Sequence, residues 1–318
     1  MICYGIPVGT DVYVQHKLDE KVAEVAGEVS TVCEVLQEEH QSLWTVLRSS
    51  ISQKLDYWLT LVYPSLVMVM AAAEKMDSLQ MVVMEKLLGM KIPLQGEGLG
   101  WDCPLWLPID NLDGRSFQHW VLRQPVKSGG FGLRSNRETS HAAFIGGLEQ
   151  SLPHFSGDGG VCPQLRGVLG DWTGQTERRW QHLLDSGCRT GRELKVSWEM
   201  LQTEAEQCCT FLGQDLDRHL AVPVQGMGEG SVDGKTRRLV VQQREELRGA
   251  VLKEALSRMD GSTLKPVKAW SNRDKLSTSW LQCLPGPDGL SSQAFTEAMA
   301  LLLSNVHAQP CLQGQDRG

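Results

Sequence analysis

The sequence lacks a long apolar run, which argues against a membrane-spanning helix. The stretch from Leu59 to Ala73 is uncharged, but it contains Pro64 and is shorter than the roughly 20 residues that a spanning helix needs. The first residues show no basic segment followed by an apolar one, so no signal peptide is predicted. We therefore expect an intracellular protein, cytoplasmic or nuclear, that has no transmembrane segment and does not bind membranes.

A net positive charge is also absent. The chain has 31 Lys and Arg against 38 Asp and Glu, a formal net charge of −7. This balance argues against a chain that neutralises phosphates along its whole length, although it leaves room for a local basic segment. The nine cysteines are irregularly spaced and include no CxxC pair, so we expect reduced thiols and not a disulfide framework.

Motifs that would carry chemistry by themselves are missing. The glycine-rich stretches at 96–100 and 226–230 have neither the dinucleotide-binding nor the P-loop spacing. No GxSxG nucleophile elbow occurs. His307 and Cys311, with Cys283 upstream, do not complete a four-ligand zinc set. The sequence thus predicts no catalytic residue, no metal site and no cofactor.

The spacing of apolar residues, in contrast, predicts helices along much of the chain. Over residues 11–39 apolar residues recur at steps of three and four, which predicts one buried stripe on a long helix: Val14, Leu18, Val22, Val25, Val29, Val32 and Leu36. The same reasoning predicts helices over 41–62, 65–88, 136–150, 175–187, 190–220, 235–259 and 291–305. Short strands or extended segments are expected at 2–9 and 125–135. The predicted fold class is mainly α, with a helical bundle-like N-terminal region followed by further helices.

Five basic residues cluster between Asn111 and Arg137, opposed by Asp113 alone. Glycine allows a close backbone approach, basic side chains can follow phosphates, and aromatic rings such as Trp120 and Phe131 can stack on bases. The sequence therefore predicts a nucleic-acid-binding segment made of Arg115, Arg123, Lys127, Gly129, Gly130, Arg134 and Arg137. The alternative is an exposed loop with ordinary basic residues.

The order of several motifs resembles retroelement reverse transcriptases beyond their catalytic palm. Gly5-Ile-Pro-Val-Gly9, Leu18-Asp-Glu-Lys21 and Leu47-Arg48-Ser49-Ser50 occur one after another in the first part of the chain. Pro125-Val-Lys-Ser-Gly-Gly-Phe-Gly-Leu-Arg-Ser135, followed by Ser140-His-Ala-Ala-Phe144, is similar to a recurring block after the thumb of such proteins. The segments from Trp270 to Pro287 also resemble the late part of these elements.

The resemblance, together with the glycine-rich stretches and the basic segment further along the chain, predicts a domain organisation and a set of partners. Residues 1–9 would end the palm, near the primer-contacting hairpin. Residues 1–150 would form a thumb-like helical region with the basic glycine-block loop, 151–222 a second helical region, 223–235 a flexible linker, and 236–318 a basic helix with a C-terminal helical region. RNA or DNA, the missing polymerase core or another protein are the expected partners.

The chain departs from this family in one respect that governs activity. The aromatic-x-Asp-Asp polymerase motif is absent, so the chain is not expected to polymerise by itself. We therefore expect a non-catalytic fragment, a truncated or decayed copy, with residual nucleic-acid binding. Two alternatives remain open: a helical protein–protein interaction protein that uses the acidic helix at 11–39, and an enzyme of unrecognised type.

Overall fold

The computed structural model describes residues 2–3, 6–7, 9–89, 122–126, 130–156, 187–213, 246–247, 249–251, 254 and 290–304. Helices dominate these residues: α1 Asp11–Val35, α2 His40–Ser49, α3 Asp56–Leu59, α4 Val67–Leu88, α5 Asn136–Ser156, α6 Arg189–Leu212 and α7 Ser292–Ser304. The strands β1 (Ile2–Cys3) and β2 (Ile6–Pro7) form a short antiparallel pair, with Ile2 opposite Pro7. The predicted mainly α fold with a few short strands is confirmed.

The apolar stripe predicted for the first helix is buried along most of α1. Val14, Leu18, Val22, Val25 and Val29 are all buried, as their steps of three and four require. After Val29 the next buried position is Cys33 and not the predicted Val32. The helix ends at Val35, one residue before Leu36, the last residue of the predicted stripe. Periodicity therefore predicts the face of the helix better than its end.

The helix predicted over 41–62 is divided. It forms α2, a 3₁₀ turn at Ile51–Gln53, and α3. Near the end of α2, the hydroxyl of Thr45 donates to the carbonyl of Gln41 (2.8 Å), and the hydroxyl of Ser49 donates to the carbonyl of Thr45 (2.5 Å). Such bonds compete with the helical ladder, so they favour an end at Ser49.

Glycine marks two of the other helix ends. α4 ends before Gly89 (φ +62°), as predicted, and α6 ends before Gly213 (φ +64°), eight residues earlier than predicted. Gly213 adopts the left-handed conformation that favours glycine, and its N–H donates to the carbonyls of Cys209 and Thr210. α5 continues six residues beyond its predicted end, to Ser156.

The first of two compact units comprises Met1–Val29, Ser50–Leu79 and Arg134–Val251. Here α5 packs against α6 and α3. The apolar side chains at the α5–α6 contact are Ala142, Phe144, Ile145, Leu148, Leu194 and Leu201. Tyr63 packs edge-on against Phe144, with ring centroids 5.7 Å apart. Full burial of each large apolar side chain contributes about 1.5–3 kcal/mol, so this contact is a major source of stability for the unit.

The second unit comprises Ser30–Ser49, Gln80–Leu133 and Leu252–Gly318. Here α7 packs against α2, with the ring centroids of Trp44 and Phe295 6.1 Å apart. Polar contacts align the two helices: the hydroxyl of Ser292 accepts from the His40 N–H (3.3 Å) and donates to the carbonyl of Glu38 (2.5 Å). The helix α7 is therefore an integral part of this unit.

The predicted domain divisions stay predictions. The division at 150/151 falls inside α5, which is continuous there, and the linker at 223–235 lies outside the described residues. Of the helix predicted at 175–187, residues 175–186 also lie outside them, and Gly187 is not helical (φ +63°). Most of the basic helix predicted at 235–259 lies outside them as well; within it, 246–247, 249–251 and 254 are helical. Among the helices that the structure describes, none combines the length and apolarity that crossing a membrane requires.

Candidate nucleic-acid interface

The basic segment predicted to bind nucleic acid falls on both units. Arg134 and Arg137 belong to the first unit, and Arg123 and Gly130 belong to the second. Three further predicted site residues, Arg115, Lys127 and Gly129, lie outside the described residues. Each half of the segment therefore has its own surroundings.

In the first unit, the start of α5 is held by a buried carboxylate from α4. Asp77, 6% exposed, accepts hydrogen bonds from the Ser135 hydroxyl (2.5 Å), the Asn136 N–H (2.7 Å), the Asn136 side-chain amide (3.1 Å) and the Arg137 N–H (3.4 Å). A negative charge at a helix N-terminus is favoured by the helix dipole and by the free N–H groups of the first turn. This N-terminus is thus occupied by the chain's own anion.

The Ser135 hydroxyl beside this carboxylate also caps the start of the helix. Ser135 directly precedes the first helical residue, and Glu138 lies three residues after Ser135. This S-x-x-E pattern marks a helix start. The Glu138 N–H donates to the Ser135 hydroxyl oxygen (3.2 Å). With Asn136 completely buried, the backbone that carries the neighbouring arginines is fixed in place.

Both arginines of this half contact acidic residues of the same unit. Arg134 Nη1 lies 3.2 Å from Asp56 Oδ2, and Arg137 Nη1 lies 3.3 Å from Glu74 Oε1. The Arg134 side chain is 52% exposed, whereas that of Arg137 is only 20% exposed. Arg134 is therefore the cation of this half that a ligand in solution reaches most easily.

In the second unit, the glycine-rich block folds back on itself. The Gly132 N–H donates to the Gln124 carbonyl (2.7 Å), and the Leu133 N–H donates to the Leu122 carbonyl (3.0 Å). A Cβ at Gly130 would lie 2.3 Å from the Gln124 carbonyl oxygen, a distance that no side chain tolerates. The close approach that requires glycine at position 130 is thus made to the chain itself, which accounts for this glycine without a ligand.

Two arginines flank this turn. Arg123 Nη1 donates to the Gln80 side-chain oxygen (3.2 Å). Arg48, from α2, stacks over the Trp44 ring at 5.3 Å from its centroid, and its Nε would lie 3.3 Å from a Cβ at Gly132. Arg48 was not among the predicted site residues, because it is far from the block in sequence and no local pattern connects them.

The acidic face of α1 is largely neutralised within the chain. Five of its acids form ion pairs inside the first unit: Asp11 with Arg189, Asp19 with Lys75, Glu20 with Lys17, Glu24 with Lys21, and Glu28 with Lys54. Hydrogen bonds from Lys75 and Gln15 lower the pKa of Asp19 below its usual value. This pairing reduces the charge that α1 offers to a protein partner.

One arrangement has the residue types of a hydrolytic dyad. His141 Nδ1 lies 3.0 Å from the hydroxyl of Ser197, in the contact between α5 and α6. Ser197 is completely buried, however, so a substrate cannot reach its hydroxyl. A hydrogen bond between packed helices is the role that this geometry supports, in agreement with the position of His141 beside Ala142 and Ala143.

A cavity of about 340 Å³ in the second unit is lined in part by Cys33, His40 and Lys86. Burial raises the pKa of the Cys33 thiol, which disfavours the reactive thiolate. His40 Nδ1 is 2.5 Å from the Thr296 hydroxyl, and its Nε2 is 3.0 Å from the Gln37 carbonyl. Because both ring nitrogens of His40 already make hydrogen bonds within the unit, its imidazole is poorly placed to activate the Cys33 thiol.

No group of His, Cys, Asp and Glu that could hold a metal ion occurs in the part of the chain that the structure describes. Comparison of the chain with protein-family models, with curated proteins and with solved structures finds no match.

Proposed function

We propose that this chain is a non-catalytic part of a retroelement reverse transcriptase-like protein and that it binds the backbone of RNA or DNA. The family assignment rests on the order of the sequence motifs. The binding proposal is carried by one observation: the Arg134 side chain is half-exposed, and Arg134 directly precedes backbone that Asp77 and the Ser135 hydroxyl hold in place. A cation that stands on ordered backbone loses less conformational entropy when it binds an anion than one on mobile backbone does.

The chemistry of the contact depends on the groups present. A guanidinium has five N–H donors. Asp56 accepts from Nη1 of Arg134, so the other donors of this guanidinium can bind phosphate oxygens. The N-terminus of α5 makes no phosphate contact in this proposal, since Asp77 already occupies it. Contacts of guanidinium groups with phosphates are independent of base sequence, so we expect weak, salt-dependent binding to many sequences.

The binding test is fluorescence anisotropy with labelled single-stranded RNA, single-stranded DNA and duplex DNA at several salt concentrations. Replacing Arg134 by Gln is expected to weaken binding and to reduce the slope of log K against log salt by about 0.9 for a duplex or about 0.7 for a single strand. The matched control is Arg189→Gln. Arg189 is also an exposed arginine of the first unit in one ion pair, with a side chain 47% exposed against 52% for Arg134.

Equal effects of the two substitutions would show that only overall charge matters and would remove Arg134 from the proposed interface. Absence of binding at low salt would refute the nucleic-acid proposal altogether. The family assignment has its own test, which is to sequence the transcript that encodes the chain. An aromatic-x-Asp-Asp motif in frame and upstream of Gly5 is the expected result, and a long upstream reading frame without one would count against the assignment.

A further inference from the structure

The cationic groups near the start of α5 all face carboxylates of the first unit. Asp56 holds Arg134, Glu74 holds Arg137, and Asp77 holds the N-terminus of the helix. These carboxylates occupy the places where phosphate oxygens would otherwise bind. The three contacts differ, however, in how deeply they are built into the fold.

We propose that Asp56 is an internal competitor of the nucleic-acid phosphate and lowers the affinity of Arg134 for it. This inference rests on the proposed function, because it concerns the regulation of the same contact. Asp56 Oδ2 accepts from Arg134 Nη1 at 3.2 Å, so a phosphate that binds this guanidinium either shares it with the carboxylate or displaces the carboxylate. In both cases the two negative groups repel each other.

The exposure of the groups singles out Asp56 among the three carboxylates. Asp77 is buried and accepts four hydrogen bonds, so it cannot leave without opening the start of α5. The Glu74–Arg137 pair is mostly covered, with side chains 28% and 20% exposed. In the Asp56–Arg134 pair the acid is 15% exposed and the arginine 52% exposed, so solvent reaches the cation while the protein holds the anion.

The size of the effect can be worked out from Coulomb's law. Two unit charges about 6 Å apart in water repel each other by an energy that corresponds to about a threefold change in an equilibrium constant. Removing the Asp56 charge is therefore expected to tighten nucleic-acid binding about threefold at low salt. The gain should shrink as salt is added, since screening acts on exposed charges.

The test measures binding of labelled single-stranded DNA and RNA to the full chain carrying Asp56→Asn. Asp19→Asn is the matched control, because Asp19 is also paired with a cation of the first unit (Lys75, 2.8 Å) and its replacement changes the net charge equally. A double-mutant cycle adds Arg134→Gln alone and together with Asp56→Asn. The expected result is tighter binding for Asp56→Asn only, and loss of that gain when Arg134 is absent.

The outcomes separate this inference from the proposed function. If the wild type binds and Arg134→Gln weakens binding, but Asp56→Asn behaves as Asp19→Asn does, the competitor role is refuted and the interface stands. If no variant binds at low salt, both proposals fail. Should Asp56→Asn unfold, as circular dichroism would show, Asp56→Ser replaces it, since serine is also neutral and polar and its smaller side chain fits the space that the carboxylate leaves.

Discussion

Replacement of Asp77 by Ala should be among the most damaging single changes in the first unit. The substitution removes the acceptor of four hydrogen bonds while the residues that carry most of the donors, Ser135 and Asn136, stay buried. The Ser135 hydroxyl can rotate to another acceptor, but the N–H and the side-chain amide of Asn136 cannot. Each buried donor left unsatisfied costs about 1–3 kcal/mol, so we expect a loss of about 3–5 kcal/mol.

The assay is urea unfolding followed by far-UV circular dichroism, with the free energy of unfolding compared between variants. Asp77→Asn should cost less, about 1–2 kcal/mol, because one oxygen remains to accept from the Asn136 groups. Glu24→Ala, which removes an exposed ion pair with Lys21, is the control and should cost less than about 1 kcal/mol. A loss below about 0.5 kcal/mol for Asp77→Ala, typical of a surface site, would refute the capping role.

Two further predictions concern packing and pH. Gly147→Ala should destabilise the chain by about 2 kcal/mol or more, since its Cβ would lie 2.1 Å from the Thr60 carbonyl oxygen. Gly27→Ala, whose Cβ would have no atom within 4 Å, should stabilise α1 by about 0.5–1 kcal/mol. Thermal unfolding checks both substitutions, and equal shifts of the melting temperature would contradict the close contact at Gly147. Lys75 lowers the folded-state pKa of Asp19 below its usual 3.8, so the contribution of this carboxylate to stability is present above pH 3.8 and is lost as the pH falls through the folded-state pKa. The difference in unfolding free energy between wild type and Asp19→Asn should therefore be largest near neutral pH and shrink in acid, and a difference independent of pH would contradict the ion pair.

Local patterns predicted the helical elements well. The stripe from Val14 to Val29 is buried as predicted, and Gly89 ends α4 as its conformational freedom suggests. Both results depend on interactions between residues a few positions apart, which a sequence displays directly. The division of the helix predicted over 41–62 was missed, because apolar spacing continues through the 3₁₀ turn at Ile51–Gln53. A periodic apolar pattern describes which side of the chain is buried and does not report where the backbone changes its hydrogen bonding.

The candidate interface was predicted only in part. The clustering of basic residues near glycines predicts Arg134 and Arg137 as site residues. The acids that pair with them lie far away in sequence: Asp56 is 78 positions from Arg134. Gly130 was interpreted as a place where a ligand approaches, and the structure shows a close approach to Gln124 of the same chain. Whether these residues bind nucleic acid stays a prediction, to be decided by the salt-dependent binding assay.

The sequence by itself determined that this chain is mainly helical and which face of α1 is buried, because those properties depend on the spacing of apolar residues along a few turns. The tertiary structure decided how the charges are used. It paired five acids of α1 within the chain, set Asp77 at the start of α5 and left Arg134 half exposed beside Asp56. Charge interactions depend on distance in space and on exposure, and neither quantity can be read from the order of residues.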